Sequence, residues 1–333
     1  MYCCSNCFSD NFLQNHIKAI SSSLGKCSIC GASNVKIIDP KELYDKFEPL
    51  LNLYIEDTKG QKLNILLQTD WNVFTFTKST QQIKLLKLIS NNETRLDIKY
   101  KPRYEYEQKD IRQWEQFREE LKHNNRFFPN GAMTIDQIVP FASLIGVKID
   151  IKTKFYRARI NTSDRGFNEN EMQKPPKDIV LNGRANPIGI PYLYIASTAQ
   201  TAIAEVRPHK GEVLTIAEFE NNEVLELADL RNPKSTISPF SDVELDTIYK
   251  NMPFLSLLGN ELSKPIIPRT TNLEYLPSQY LSEIFKHIGF HGIIYKSSVS
   301  DGSNYVIFDD SKLRIIKTQQ YITTDVITVA DKT

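Results

Sequence analysis

Two cysteine pairs near the start of the chain have the spacing of a metal-binding site. Cys4 and Cys7 form one C-x-x-C pair, and Cys27 and Cys30 form a second one further along the chain. A two-residue gap lets one tight turn present two sulfurs to the same ion, and four thiolates suit a tetrahedral Zn²⁺. The pattern therefore predicts a closed, structural zinc site, in which Cys3 could replace Cys4 as the ligand.

A second group of polar residues, in the C-terminal half, has the side-chain types that a dinucleotide site needs. Arginine forks bind pyrophosphate oxygens, and a tyrosine ring stacks on a flat base or a nicotinamide ring. A carboxylate beside a ribose can stabilise the positive charge that develops when a glycosidic bond breaks. Because nicotinamide leaves as a neutral molecule, no strong general acid is required. The candidate residues are Arg157, Arg159, Arg184, Asn186, Tyr194, Glu205, Ser297, Ser298 and Asn304.

The elements that position these side chains alternate between strands and helices after Gly146. Apolar alternation and short apolar runs predict the strands, and apolar residues at helical spacing predict the helices. The predicted strands are Lys154–Ile160, Tyr192–Ser197, Val213–Phe219, Val224–Leu230, Gly292–Tyr295, Tyr305–Phe308 and Leu313–Thr318, and the predicted helices are Thr198–Val206 and Leu273–Ile288.

The N-terminal half has a different pattern, in which apolar residues recur mostly at helical spacing. A buried strand over Asn72–Thr77 is the one exception that the pattern suggests. The predicted fold class is therefore α+β. A mostly helical domain with a small zinc knuckle is predicted to precede, in sequence, a mixed α/β catalytic domain. The predicted bounds are 1–39 for the zinc-knuckle unit, 40–146 for the helical domain, 154–318 for the catalytic domain and 319–333 for a tail.

Composition excludes several classes of protein. Hydrophobic residues make up 41% of the 333 residues and charged residues 24%, with a formal net charge of +1. That balance gives no bulk attraction to nucleic acid or to an anionic membrane. The sequence has neither a run long enough to span a bilayer nor the pattern of a signal peptide. We therefore expect a cytoplasmic protein whose cysteines are reduced or bound to metal.

Long stretches of the C-terminal half resemble the RES family of bacterial toxin-type enzymes, which is named for an arginine, a glutamate and a serine. Several motifs in the same order carry the resemblance over about residues 154–318. They are Gly183–Tyr194, Ala196-Ser197, Thr201–Pro208, Glu274–Leu281, Gly289–Ser298 and Asn304–Phe308.

The resemblance implies a fold similar to the ADP-ribosyltransferases, with NAD⁺ bound in a cleft. Enzymes of this family deplete NAD⁺ by hydrolysis or phosphorolysis, or they transfer ADP-ribose to a protein. The site residues that the resemblance implies are Arg157 with its neighbour Arg159, Arg184, Tyr194, Glu205, Asn304 and either Ser297 or Ser298.

The N-terminal unit, in which the two cysteine pairs are followed by Ile37-Ile38-Asp39-Pro40, also resembles a module found ahead of RES and HEPN effector domains. Toxins of the RES family are often held by a separate antitoxin, but this chain carries about 150 additional N-terminal residues. This departure argues against simple pairing with an antitoxin, and we expect the additional half to regulate the enzyme or to sense a trigger, as in phage-defence proteins. An antitoxin or another regulatory protein remains an expected partner. The expected partners are NAD⁺, such a regulator and a second copy of the chain, but neither membrane nor nucleic acid.

Other residues suggest two alternative functions. Arg118 and His123 fit the loose R-x4-H pattern of HEPN ribonucleases, although at about 100° per residue they lie about 140° apart around a helix. The zinc knuckle could instead serve a nucleic-acid-binding protein, but residues 99–126 mix basic and acidic side chains without a clean basic stripe.

Overall fold

The computed structural model describes residues 1–90, 96–106, 109–130, 135–241, 244–264 and 271–326. The chain divides into two compact units. The first contains Met1–Gln108 and Pro233–Phe254, and the second contains Lys109–Asn232 and Leu255–Thr333. Among the described residues, every helix is too short or too polar to cross a membrane.

The first unit combines short strands with helices, each kind of element being numbered in chain order. Its strands form two antiparallel sheets, one of order β1-β3-β2 and one in which β4 pairs with β5. The strands are β1 (Cys3–Cys4), β2 (Ser23–Gly25), β3 (Val35–Ile38), β4 (Tyr54–Lys62) and β5 (Lys99–Pro102). The helices are α1 (Asn11–Ile20), α2 (Tyr44–Leu51), α3 (Leu63–Trp71), α4 (Ser79–Ser90), α9 (Pro233–Thr236) and the first part of α10 (Leu245–Ser263).

The prediction of a strand over Asn72–Thr77 is wrong. Helix α3 ends at Trp71, and Asn72 follows it in a left-handed conformation with φ of 49°. Among the described residues, the segment after it makes only an isolated β-bridge, between Phe74 and Phe8. A run of apolar residues becomes a strand only where a partner strand continues beside it. The sequence pattern also missed β4, because most of this strand is polar and exposed.

The second unit is a mixed α/β structure. Its strands are β6 (Gly146–Ile149), β7 (Lys154–Ile160), β8 (Leu193–Ala196), β9 (Val213–Asn221), β10 (Leu225–Asp229), β11 (Gly292–Lys296), β12 (Ser303–Ile307) and β13 (Leu313–Ile322). Its helices are α5 (Lys109–His123), α6 (Ile135–Ile145), α7 (Glu169–Met172), α8 (Ala199–Val206), α11 (Thr271–Glu274), α12 (Leu276–Ile288) and the end of α10.

One eight-stranded sheet of order β13-β9-β7-β8-β12-β11-β10-β6 organises this unit. Its neighbours are antiparallel except for β10 and β11, so the sheet is mixed. Its core is apolar and includes Phe155, Leu193 and Phe219. The predicted α+β class, with a mixed α/β domain in the C-terminal half, is confirmed. The predicted tail starts too early, because β13 pairs with β9 as far as Ile322.

The division into units also differs from the predicted boundary near residue 146. Helix α5 belongs to the second unit, because its buried residues Trp114 and Phe117 pack there and Phe117 meets Tyr280 of α12 edge to face. Residues 233–254 belong to the first unit, where Phe240 packs against Phe47 with ring centroids 4.8 Å apart. Both contacts join residues distant in sequence, which local patterns do not reveal.

Candidate active site

A cavity lies where the large sheet opens between two of its strands. Strand β7 pairs with β9 along its whole length, but it pairs with β8 only at Tyr156 and Ala196. The cavity has a volume of about 220 Å³. Its lining residues come from β7, β8, α8, β11 and β12. They are Tyr156, Arg157, Ala158, Tyr194, Ile195, Ala196, Ala202, Glu205, Val206, Tyr295 and Asn304.

Small side chains leave this space open while α8 packs beside it. Ala158, Ala196 and Ala202 are buried and belong to one apolar cluster. The helix begins at Thr198, whose side chain accepts a hydrogen bond from the Thr201 amide, as is usual at an N-cap. This start places Glu205 in the last turn of the helix, at the wall of the cavity.

Two buried donors hold the Glu205 carboxylate. Its Oε1 accepts hydrogen bonds from Ser297 Oγ and from Asn304 Nδ2, both at 2.6 Å. Ser297 is 4% exposed and Asn304 5% exposed, whereas Glu205 itself is exposed. The carboxylate is therefore fixed in one orientation and keeps its second oxygen free of these two donors. Such an arrangement can stabilise a positive charge that develops in the cavity.

The structure distinguishes the two candidate serines. Neither serine lines the cavity itself, but the buried Ser297 donates to Glu205, while the half-buried Ser298 does not donate to that carboxylate. The loop after Ser297 returns close to α8, and a Cβ on Gly302 would lie 2.0 Å from Thr201 Oγ1. A glycine is thus required for the loop to pack at this distance.

Arg157 contributes an unsatisfied positive group to the cavity. Its Nη1 is buried and has no hydrogen-bond partner within the described part of the chain. Burial, together with the positive charge of Arg159, lowers the pKa of the Arg157 guanidinium to about 10. A buried guanidinium nitrogen without a hydrogen-bond partner is costly unless a ligand supplies an acceptor, so an anionic group is the expected occupant.

The other two predicted arginines are bound to the protein itself and do not line the cavity. Arg159 Nη1 donates to the Glu171 carbonyl at 2.6 Å, and its guanidinium lies 3.9 Å from the centre of the Phe167 ring. Arg184 Nη1 donates to the Lys264 carbonyl at 2.7 Å, beyond the end of α10. These contacts do not support the predicted binding role of either arginine.

Tyr194 faces the cavity while its hydroxyl is engaged behind it. The hydroxyl donates to Asn186 Oδ1 at 2.7 Å and accepts from the Ala185 amide at 3.0 Å. Burial raises the pKa of Tyr194, so its hydroxyl stays protonated. Asn186 is 2% exposed and does not line the cavity. It therefore holds Tyr194 in place, whereas the sequence predicted that it binds the ligand.

Two further tyrosines of the cavity were missed from the sequence. Tyr156 and Tyr295 both line it, and Tyr295 is only 5% exposed. Burial, Tyr194 and Glu205 raise the pKa of Tyr295, which keeps its hydroxyl neutral. The available signal was position, because Tyr156 directly precedes Arg157 and Tyr295 lies within the family motif Gly289–Ser298.

The predicted metal ligands converge in the first unit. The sulfurs of Cys4, Cys7, Cys27 and Cys30 all lie within 4.8 Å of one another, with nearest pairs at 3.5 and 3.6 Å. Tetrahedral Zn–S bonds of about 2.3 Å would set these sulfurs about 3.8 Å apart, so the group fits a zinc ion. Cys3 is not in the group, because successive strand residues point to opposite faces.

Backbone geometry supports a thiolate at the second cysteine pair. The amides of Ile29 and Cys30 both donate to Cys27 Sγ at 3.4 Å. Gly31 then turns the chain with φ of +81°, a conformation that favours glycine. The four cysteines form a closed set of ligands that could hold a metal ion, which is the arrangement of a structural site.

The residues of the ribonuclease alternative do not converge. Arg118 lies 3.2 Å from the Glu261 carboxylate, and the Glu261 side chain is only 3% exposed. His123 is 56% exposed at the end of the same helix. The ion pair with Glu261 accounts for Arg118 as a structural residue.

Comparison with known proteins identifies the family of the domain that contains the cavity. The family model of the RES domain matches residues 154–325, and the chain belongs to the RES family. The range covers β7 to β13 and every residue that lines the cavity.

A solved structure titled "Crystal structure of the M.tuberculosis MbcT-MbcA toxin-antitoxin complex" is similar over 57% of this chain and 95% of that chain. The identity is 14% and the TM-score 0.34, values too low to support a functional argument. The search of curated proteins finds no match.

Proposed function

We propose that this protein binds NAD⁺ in the cavity and breaks the bond between nicotinamide and ribose. The observation that carries the proposal is the Glu205 carboxylate, which Ser297 and Asn304 hold at the wall of a cavity. The same cavity is lined by Arg157, whose buried Nη1 has no hydrogen-bond partner among the described residues. Membership of the RES family supports the choice of NAD⁺, because the enzymes that this chain resembles act on that dinucleotide.

The chemistry requires little more than charge stabilisation. As the glycosidic bond breaks, its electron pair goes to the nicotinamide nitrogen, which turns a cationic ring into a neutral leaving group. The ribose carbon becomes electron-poor, and the Glu205 carboxylate stabilises it. An acceptor oxygen then bonds to that carbon. With water as acceptor the products are ADP-ribose, nicotinamide and a proton. With phosphate or a protein side chain, the ADP-ribosyl group is transferred instead.

Arg157 and the tyrosines supply binding. The guanidinium of Arg157 pairs with a phosphate oxygen of the dinucleotide, which gives its buried Nη1 a partner. The rings of Tyr194 and Tyr295 provide flat apolar surfaces for nicotinamide. The small volume of the cavity suits this end of the molecule, and the adenosine portion extends outside it.

The direct test is consumption of NAD⁺ by the purified full-length protein, with and without phosphate, with the products identified by mass spectrometry. Release of nicotinamide supports the proposal, and the partner of the ADP-ribosyl group identifies the acceptor. If NAD⁺ remains intact in every condition and calorimetry detects no binding, the proposal is refuted.

Arg157→Ala is expected to weaken NAD⁺ binding about 10- to 100-fold, because a charge-assisted hydrogen bond contributes about 1.5–3 kcal/mol. The free energy of unfolding should fall little, since the buried Nη1 of Arg157 has no hydrogen-bond partner among the described residues. Calorimetry and thermal unfolding measure the two effects. Arg314→Ala is the matched control, because that exposed side chain pairs with Glu220 and does not line the cavity. Equal affinity in Arg157→Ala and wild type would contradict the assignment.

Ser297→Ala is expected to lower NAD⁺ turnover about 10-fold, because Glu205 loses one of its two buried donors. Ser298→Ala should leave turnover within about twofold of the wild type, since its hydroxyl does not contact Glu205. Initial rates of nicotinamide release measure both variants. The reverse order of effects would reassign the family serine to Ser298.

We further propose that the activity serves a bacterial toxin or anti-phage effector that acts in the cytoplasm under the control of an antitoxin or another regulatory protein. The resemblance to the RES family supports this role, because toxins of the family are held by such partners. Expression of the full chain in bacteria should arrest growth and deplete NAD⁺. Arrest without NAD⁺ loss would separate toxicity from the proposed reaction.

A further inference from the structure

Helix α12 contacts the loop behind the cavity through two adjacent polar side chains. Ser278 and Gln279 lie in the Glu274–Leu281 motif, which the proposed reaction does not use. Ser278 Oγ donates to the Arg184 carbonyl at 2.5 Å. Gln279 Nε2 donates to the carbonyls of Gly183 and Asn186, at 2.9 and 3.0 Å. Both side chains are buried, with Ser278 fully inaccessible and Gln279 7% exposed.

The same loop holds Tyr194 from its other side. Residues 183–186 form a turn in which the Gly183 amide donates to the Asn186 carbonyl at 2.9 Å. The Tyr194 hydroxyl is bound by Asn186 Oδ1 and the Ala185 amide. The fit is close, because a Cβ on Gly183 would lie 2.3 Å from Asn186 Oδ1 and 2.6 Å from the Tyr194 hydroxyl. A shift of the loop must therefore move the tyrosine or break its hydrogen bonds.

We propose that Gln279 is a positioning residue that sets the Tyr194 ring in the wall of the cavity. A glutamine amide carries two N–H donors, which match the two loop carbonyls that converge on it. Gln279 holds the turn from behind, and the turn holds the Tyr194 hydroxyl, so the ring alone faces the ligand. This role rests on the proposed function of the cavity, but the tether itself can be measured without NAD⁺.

The first test measures the loop directly in the full-length protein. Gln279→Met keeps the length of the side chain and removes both donors. We expect faster hydrogen exchange at the amides of residues 183–186, where the Ala185 amide is bound by Tyr194. Ser282→Ala is the matched control, because its buried hydroxyl donates to the Ser278 carbonyl within α12 and does not contact the loop. Exchange that is unchanged in Gln279→Met would overturn the tether, whatever the activity.

The second test asks whether Gln279 acts through Tyr194. Gln279→Met should lower kcat/KM for NAD⁺ about 10-fold, mainly through KM, because two buried carbonyls lose their donor. In a Tyr194→Phe background the same substitution should change kcat/KM by no more than about twofold, since the phenylalanine has no hydroxyl for the loop to hold. Ser282→Ala should leave kcat/KM unchanged. A full 10-fold effect in both backgrounds would show that Gln279 acts independently of Tyr194, and the proposal would be wrong.

The two levels of the proposal fail in different ways. If the wild type neither binds nor consumes NAD⁺, the proposed function fails while the exchange test still decides the tether. If the wild type is active and both Gln279 tests give null results, only the positioning role fails. Should Gln279→Met not fold, Ser278→Ala removes the neighbouring bond to the Arg184 carbonyl and should accelerate exchange at the same amides to a smaller degree. No acceleration in that variant would overturn the proposal.

Discussion

Glu205→Gln is expected to reduce NAD⁺ turnover by roughly 10²- to 10³-fold, the cost of removing one group that stabilises charge in a transition state. The substitution preserves the shape of the side chain, and its amide oxygen can still accept from Ser297 and Asn304. What it removes is the negative charge beside the developing ribosyl cation. Nicotinamide release under saturating NAD⁺ measures the effect on kcat.

A matched control for this variant is available on the same sheet. Glu226 lies on β10 with an exposed side chain and does not line the cavity, so Glu226→Gln removes one negative charge elsewhere. Thermal unfolding should place both variants close to the wild type, which shows that lost turnover is not lost folding. Full activity in Glu205→Gln would eliminate Glu205 as the residue that stabilises the cation.

We propose that the four cysteines hold a zinc ion, and that its removal unfolds the first unit. Structural zinc sites couple a binding free energy on the order of 10 kcal/mol to folding, more than a small unit can lose. Cys7→Ser and Cys27→Ser should each abolish metal binding. We expect about one zinc ion per wild-type chain by elemental analysis, and a lower unfolding temperature when a chelator is added.

Cys3→Ala provides the control for the zinc prediction. Cys3 is as buried as Cys4, but its sulfur is outside the group that converges. Its variant should therefore retain zinc and show only the small loss of stability that a cavity causes. Loss of zinc in Cys3→Ala with retention in Cys4→Ala would reverse the assignment. If the wild-type protein has four reactive thiols and contains no metal, the proposed zinc site is refuted.

The local elements around the candidate site follow from the sequence. Alternation of apolar residues identified β7, and the helix that carries Glu205 was predicted within one residue of its observed start. Gly289 ends α12 with φ of 109°, where a glycine is favoured. These signals depend on residues within one or two turns of each other, which is the range over which spacing determines geometry.

The unit boundaries and the roles of several polar residues depend on more distant parts of the chain. Residues 233–254 join the first unit although they follow β10 of the second, and no local pattern marks that return. Arg159 and Arg184 have the side chain that binds phosphate, but carbonyls elsewhere in the second unit take their donors. A side chain's type defines what it can bind, whereas its neighbours decide what it does bind.

The sequence by itself determined the family motifs, the four-cysteine ligand set and the residue types of the cavity. Only the tertiary structure shows that Ser297 rather than Ser298 donates to Glu205, and that the sulfur of Cys4 rather than that of Cys3 lies beside the other three. Glu205 meets Ser297 and Asn304 across 92 and 99 residues of chain. Contacts at that separation depend on strand order and on the opening between β7 and β8. Both result from packing of the whole sheet, because no short segment contains all the surfaces that must be buried together.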